Sequence, residues 1–271
     1  MTTSEIPPAA EPGAGVARGF RTGRVVLALM LREMASRYGR SPGGYLWAIL
    51  EPVGAIAVMA LGFSLLVRTP PLGTSFLLFF ATGFIPFSLY QNLATSVSKS
   101  INFSRALLTY PVVSWIDAIL ARFLLNSLTA IMVSYLILLG IMPLSDSPVA
   151  IDYVPVLETM LMAMGLGLAV GTINCALTGL IQIWGQVWSI VTRPLFIASG
   201  IFFLYDDLSE TAQSVLWYNP LVHLVGWMRT GFYPNYEAPY FSGLYVLGCT
   251  FVLLFLGIVL LGRYHRDILA N

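Results

Sequence analysis

Few residues in this chain could carry chemistry. It contains one lysine, Lys99. A phosphate-cradling loop needs G-x-x-x-x-G-K-[ST], whose lysine reaches the phosphates. Lys99 follows Ser98, so the required glycine is missing. Nucleotide hydrolysis is thereby excluded here, and any ATP-driven work needs an ATPase on another chain. No H-E-x-x-H zinc site and no G-x-S-x-G nucleophile elbow occurs. Cys175 and Cys249 lie in apolar runs, and His223 and His265 are in separate segments. Buried packing fits them better than a disulfide framework or a Cys/His metal cluster.

The remaining candidates are charges and aromatics within apolar sequence. Glu51 precedes Pro52, Arg193 precedes Pro194, and Asp117 and Arg122 stand close together. Charges in a membrane are costly unless they face protein or water. Asp117 and Arg122 read as groups near a membrane surface, where long side chains snorkel. Glu51 and Arg193 could pair with each other or face a water-filled path; no chain of carboxylates supports a proton relay. Phe76, Phe79, Phe80, Phe84, Phe87 and Tyr90 fall on one side of a helix at about 100° per residue. Such a stripe could stack on the C–H faces of sugars along a glycan path, or simply pack. The stretch KSINFSRALLTYP begins at Lys99, and Ile101, Arg105 and Leu108 suit a short helix along a membrane surface. It is either a coupling helix docking on a cytoplasmic ATPase or an ordinary connection.

The elements that must position these residues are membrane helices. The chain has 271 residues, 57% hydrophobic and 10% charged. An ordinary soluble domain carries roughly 25% charge, so lipid must solvate much of this one. Six runs approach the roughly 20 apolar residues a crossing needs: about 44–67, 76–97, 112–141, 154–181, 187–205 and 241–262. The fourth and fifth are broken only around Gln182, Gly185 and Gln186, which implies a tight hairpin. With the amino terminus in the cytoplasm, Arg18, Arg21, Arg24, Arg32, Arg37, Arg40, Lys99, Arg105, Arg122, Arg263 and Arg266 fall on or near that side. The opposite side collects Asp146, Asp152, Glu158, Asp206, Asp207, Glu210 and Glu237. That bias orients the chain, and an even span count returns the carboxyl terminus to the cytoplasm.

Three segments lie outside the spans. Residues 1–23, rich in Pro, Ala and Gly, read as a disordered cytoplasmic tail and not as a secretory signal. Residues 24–40 form an interfacial amphipathic helix, with Leu27, Leu31, Met34 and Tyr38 on one stripe and Glu33 four residues before Arg37. Residues 206–240 are too apolar for an aqueous loop and are interrupted by Pro220, Gly226, Gly231 and Pro234. They read as two short helices dipping back into the outer leaflet. Trp217, Trp227, Tyr218, Tyr233, Tyr236 and Tyr240 cluster there, as an interfacial belt or a substrate exit. No internal repeat is visible, which argues against a transporter built from inverted repeats.

RYGRSPGGYLWAILEP, 37–52, resembles the opening of the first span in capsular polysaccharide export permeases. NPLVHLVGWMRTGFYP, 219–234, resembles the outer re-entrant segment of the wider ABC-2 transporter family. The likeness covers most of the chain; Pro42-Gly43 departs from the basic or bulkier residue expected there. It implies an all-α integral membrane fold, with residues 41–271 as an ABC-2 transmembrane domain of six helices. An interfacial helix precedes them, and a periplasmic re-entrant segment precedes the last span. It implies a homodimer joined by two copies of a cytoplasmic ATPase subunit, which holds the ATP and Mg; no cofactor sits on this chain. A lipid-linked capsular polysaccharide would move from cytoplasm to periplasm across the bacterial inner membrane, and periplasmic and outer-membrane export proteins would carry it onward. The resemblance assigns 98–111 as the coupling loop, with Lys99, Ile101, Arg105, Leu108 and Tyr110. Arg37 and Arg40 would meet a lipid phosphate at the entrance. Phe76, Phe80, Phe84, Phe87 and Tyr90 are the expected glycan path, and membrane lipid but no nucleic acid is the expected surrounding. Alternative cargoes are O-antigen, teichoic acid or another glycan, or a drug or lipid. A membrane-embedded glycosyltransferase would need acids at the cytoplasmic interface, and here the acids concentrate outside.

Overall fold

The computed structural model describes residues 21–38, 44–110, 112–144 and 151–270. Among them the chain forms ten α-helices: α1 (Arg21–Tyr38), α2 (Gly44–Leu66), α3 (Phe76–Ser98), α4 (Ser100–Leu108), α5 (Trp115–Ile141), α6 (Tyr153–Leu180), α7 (Trp184–Ile197), α8 (Glu210–Leu216), α9 (Pro220–Thr230) and α10 (Gly243–Ala270). Five of them, α2, α3, α5, α6 and α10, are long and apolar enough to cross a bilayer. The fifth apolar run departs from its expected helix. α7 has 14 residues, about 21 Å at about 1.5 Å per residue, short of the roughly 30 Å hydrocarbon core. It contains Pro194, and Gly200 just beyond it has φ +79°. Residues 198–204 continue as irregular chain, with Ser199, Ile201 and Leu204 buried.

Local chemistry sets the boundaries. Ser75 accepts from the Leu78 amide and starts α3. Ser114 and Asp117 form a reciprocal cap on α5, so the helix begins at Trp115 rather than 112. Asp117 is therefore committed to the helix end. The hairpin between α6 and α7 turns at 181–183, and Gly185 and Gln186 lie inside α7. Trp184 Nε1 donates to Asn174 Oδ1 at 2.8 Å and locks that turn.

α6 lies between α3 and α10, and α3 also packs on α5 and α9. The α3–α6 approach needs glycine. A Cβ on Gly167 would lie 2.9 Å from the Tyr90 carbonyl oxygen, and one on Gly171 2.7 Å from Val97 Cβ. In lipid, small residues let backbones pack this closely where no hydrophobic drive joins the helices. At one end of the bundle α1 packs Val26 and Leu29 on Ala121 of α5, while Leu27, Leu31 and Met34 face away from the protein. α4 and the end of α10 share that end, since Arg105 donates to the Leu269 carbonyl at 2.9 Å. α8 and α9 close the other end. There Asn219 caps α9 and its amide donates to the Ala198 carbonyl, and the Asp152 amide donates to the Gly231 carbonyl.

Candidate functional site

Polar side chains recur at helical spacing inside α3: Ser88, Gln91, Asn92 and Ser96. They form one wall of a cavity of about 370 Å³ between α2, α3, α5 and α7. Asn126, Thr129 and Ser134 of α5 face it, Glu51 and Pro52 of α2 join them, and Phe84, Phe87 and Phe196 edge it. Asn92 Nδ2 donates to Ser88 Oγ at 3.2 Å, and Ser96 Oγ donates to Asn126 Oδ1 at 3.2 Å. Gln91 Oε1 is buried without a partner in the protein. Hydroxyls and amides offer both donors and acceptors. Together with aromatic faces they can meet the hydroxyls and the C–H faces of a sugar ring. Polar groups inside an apolar helical bundle are costly unless they face protein or a water-filled cavity, as these do.

The structure divides the expected aromatic path. Phe84 and Phe87 reach the cavity, both packing on Phe196. Phe80 is sealed between Phe63, Phe79 and Phe202, and Tyr90 is buried beside Phe87. Phe76 is half-buried against the core. Phe80 and Tyr90 therefore face this chain's own core, because α3 is enclosed on most sides by its neighbours. Glu51 and Arg193, read as either a pair or groups facing a water-filled path, are apart. Glu51 lines the cavity while Arg193 lies exposed on α7, and no ion pair joins them.

Of the expected coupling residues, Lys99 and Tyr110 are exposed. Ile101 instead points inward onto a cluster with Val97, Ile119, Cys175 and Leu261, and Leu108 packs against it. Arg105 is held by the Leu269 carbonyl. The nine-residue α4 buries Ser100, Ile101 and Ser104, so these side chains anchor it and Lys99, Asn102, Ala106 and Tyr110 remain outward. The Arg37 side chain and all of Arg40 lie outside the described residues.

Three residues matter more than their sequence context suggests. Arg122, read as a snorkelling side chain, is 9% exposed. Its Nε donates to both carboxylate oxygens of Glu33, at 3.0 and 3.1 Å, so Glu33 reaches a partner 89 positions away on α5. Arg229 of α9 is 1% exposed. It donates to the Phe203 carbonyl at 2.9 Å and the Ile201 carbonyl at 3.1 Å, with its guanidinium 4.2 Å from the Phe79 ring centre. Burial pulls its pKa down to about 10, so it is charged at neutral pH. Gly83 makes room: a Cβ there would lie 3.2 Å from Ile201 Cα and 3.3 Å from the guanidinium. His223 accepts the Ser242 amide at Nδ1 and donates from Nε2 to the Trp217 carbonyl at 2.8 Å, which fixes a neutral ring. Desolvation lowers its pKa from the ordinary value. The aromatics around α8 and α9 largely pack on each other: Trp227 stacks on Phe241 at 4.3 Å and Tyr205 on Tyr240 at 4.0 Å. The helical spacing of Ser88, Gln91 and Ser96 was readable in the sequence; the partners of Arg122 and Arg229 were not.

Comparison with known proteins agrees with this architecture. The chain is 29% identical over 247 residues to the capsule polysaccharide export inner-membrane protein CtrC of Neisseria meningitidis serogroup A, covering 90% of this chain and 92% of the relative. It is 31% identical over 256 residues to the polysialic acid transport protein KpsM of Escherichia coli, covering 93% and 98%. BexB of Haemophilus influenzae, another capsule polysaccharide export inner-membrane protein, is 28% identical over 252 residues, covering 91% and 93%. Residues 24–233 match the ABC-2 type transporter family, and the chain belongs to it.

Proposed function

We propose that this chain is the permease subunit of an ATP-driven exporter that moves a lipid-linked capsular polysaccharide from cytoplasm to periplasm. The observation that carries this reading is the cavity among α2, α3, α5 and α7, where amides, hydroxyls and three phenylalanine rings meet inside an apolar bundle. A small apolar drug would not call for that many hydrogen-bonding groups. The names of the relatives support a polysaccharide cargo. In this reading the chain crosses the inner membrane six times, through α2, α3, α5, α6, α7 continued by residues 198–204, and α10. Both ends face the cytoplasm, in keeping with the arginine bias. α1 lies in the cytoplasmic interface, and α8 and α9 form the periplasmic re-entrant segment. Two copies associate through the exposed apolar faces of α2 and α7. Each receives a separate ATPase subunit on the outward face of α4, at Lys99 and Tyr110, and that subunit holds the ATP and Mg. Arg37 and Arg40 meet the lipid phosphate, and periplasmic and outer-membrane proteins take the glycan onward.

Deletion of the gene tests this. Surface glycan should disappear and the same polymer should accumulate inside the cell. Unchanged surface glycan in the deletion strain would refute the reading.

A further inference from the structure

α3 gives way to α4 at one residue, Lys99, whose backbone (φ −96°, ψ 7°) interrupts the helix between the long apolar α3 and the nine-residue α4. The junction has side-chain contacts on both of its sides, and one residue, Arg122, makes them. On the α3 side, Arg122 Nη1 donates to the Ser96 carbonyl at 3.2 Å. That carbonyl is in the last turn of α3, where a cation is favourable, and it also accepts the Lys99 amide at 3.3 Å. On the α4 side, the Arg122 guanidinium lies 4.4 Å from the centre of the Phe103 ring. The same ring has Arg32 of α1 at 5.1 Å, and Arg32 donates to the Phe103 carbonyl at 3.3 Å. Glu33 of α1 fixes the guanidinium by both of its oxygens.

The contacts continue to the cavity. The Arg122 carbonyl accepts from Asn126 Nδ2 at 2.7 Å, and Asn126 Oδ1 accepts from Ser96 Oγ. Ser96 and Asn126 line the cavity wall. The Arg122 side chain thus connects α1, α4 and the end of α3 at Ser96, and its main-chain carbonyl holds Asn126 beside Ser96 in the polar wall. Packing alone does not require this: an apolar residue of similar volume commonly stabilises such a site as well as a buried ion pair does. What an apolar residue lacks is a planar fork that can cap one helix, pair with a second and stack on a third.

We infer that Arg122 is a positioning residue: it staples the α3–α4 junction so that movement of the ATPase-facing helix α4 reaches the cavity wall through Ser96 and Asn126. The inference rests on the exporter reading, and the experiment separates the two. The complex of this chain with its ATPase is placed in vesicles of Escherichia coli polar lipid. Cys175→Ala and Cys249→Ala remove the native thiols, and Ser88→Cys reports on the cavity. The maleimide labelling rate is measured without nucleotide and with ATP plus vanadate.

With Arg122 intact, the two rates should differ by about fivefold or more, the usual span of coupling between sites. Arg122→Lys keeps the charge and loses the fork and the stack. Phe103→Leu leaves the ion pair and removes only the ring. In both, the rates should converge to within about twofold while the ATPase co-purifies in normal amount. Retention of the full difference in both variants would overturn the inference. So would convergence accompanied by loss of the ATPase, which would make Arg122 a support for the docking surface alone. No nucleotide-dependent change with Arg122 intact would overturn the exporter reading itself, and the inference with it.

Discussion

Arg229→Met should destabilise the α9 segment far more than loss of a surface arginine would. Methionine keeps an unbranched side chain and removes the cation. It strands the carbonyls of Ile201 and Phe203, which Arg229 now satisfies at 3.1 and 2.9 Å. A buried carbonyl left without its donor costs roughly 1–3 kcal/mol. The contact with Phe79 is lost as well, worth about 2 kcal/mol when desolvated. Against this, removing a buried cation returns its desolvation cost, several kcal/mol in a folded protein. That return offsets the ring contact and part of the charge-assisted bonding, so the net loss is about 2–4 kcal/mol. For a chain of this size that corresponds to a drop of roughly 5–15 °C in unfolding midpoint. The assay is thermal unfolding of the purified protein in detergent, followed by tryptophan fluorescence, since Trp217 and Trp227 lie just ahead of Arg229 in sequence. Arg229→Lys should fall between, because one ammonium cannot serve both carbonyls and lie flat on Phe79. A midpoint for Arg229→Met within about 2 °C of the parent would refute the reasoning.

Gln91→Leu with Asn92→Leu should cut surface glycan by about tenfold at normal membrane abundance, since two hydrogen-bonding groups leave the cavity wall; quantitative glycan staining beside an immunoblot checks it. Lys99→Glu with Tyr110→Ala should lower co-purifying ATPase by about tenfold without loss of membrane insertion, because both side chains are outward and hold nothing within the chain. His223 gives a pH dependence. Its pKa is lowered by burial relative to the unfolded chain, so the unfolded state takes up the proton first as pH falls below about 6.5. Stability is therefore full above that pH and declines below it. The unfolding midpoint should drop between about pH 7.5 and pH 5.5, and His223→Gln should remove that component of the slope.

The helical architecture was legible because a crossing needs a long apolar run, and α2, α3, α5, α6 and α10 have one. Which face of a crossing meets protein was not. Lipid tails are as apolar as leucine, so Phe80 in the core and Leu65 at the surface look alike in sequence, although they are 0% and 87% exposed. The aromatic stripe of α3 is real, yet a stripe facing glycan and a stripe facing neighbouring helices have the same spacing. The polar stripe is the better signal. Ser88, Gln91 and Ser96 have no reason to sit in lipid, and their shared face points to the cavity. The Glu33–Arg122 pair was beyond reach: helical spacing offers Glu33 only neighbours three or four residues away, and its partner on α5 depends on how α1 lies across the bundle.

The fifth apolar run shows why hydropathy fails at such places. Residues 187–205 are apolar enough to suggest a helix, but hydropathy counts side chains and the bilayer also tests the backbone. Non-helical chain at membrane depth survives only where protein satisfies its carbonyls. After α7 ends at Ile197, Asn219 takes the Ala198 carbonyl and Arg229 takes those of Ile201 and Phe203. The broken run and the buried arginine are thus one feature seen from two segments. Asn219 and Arg229 both belong to NPLVHLVGWMRTGFYP, so this stretch packs back on residues 198–204 and takes carbonyls that no helix there satisfies. The α9 segment and the irregular chain after α7 should consequently fail together. Loss of Arg229 should expose residues 198–204 to protease or hydrogen exchange as well as loosening α9, whereas independent elements would respond separately.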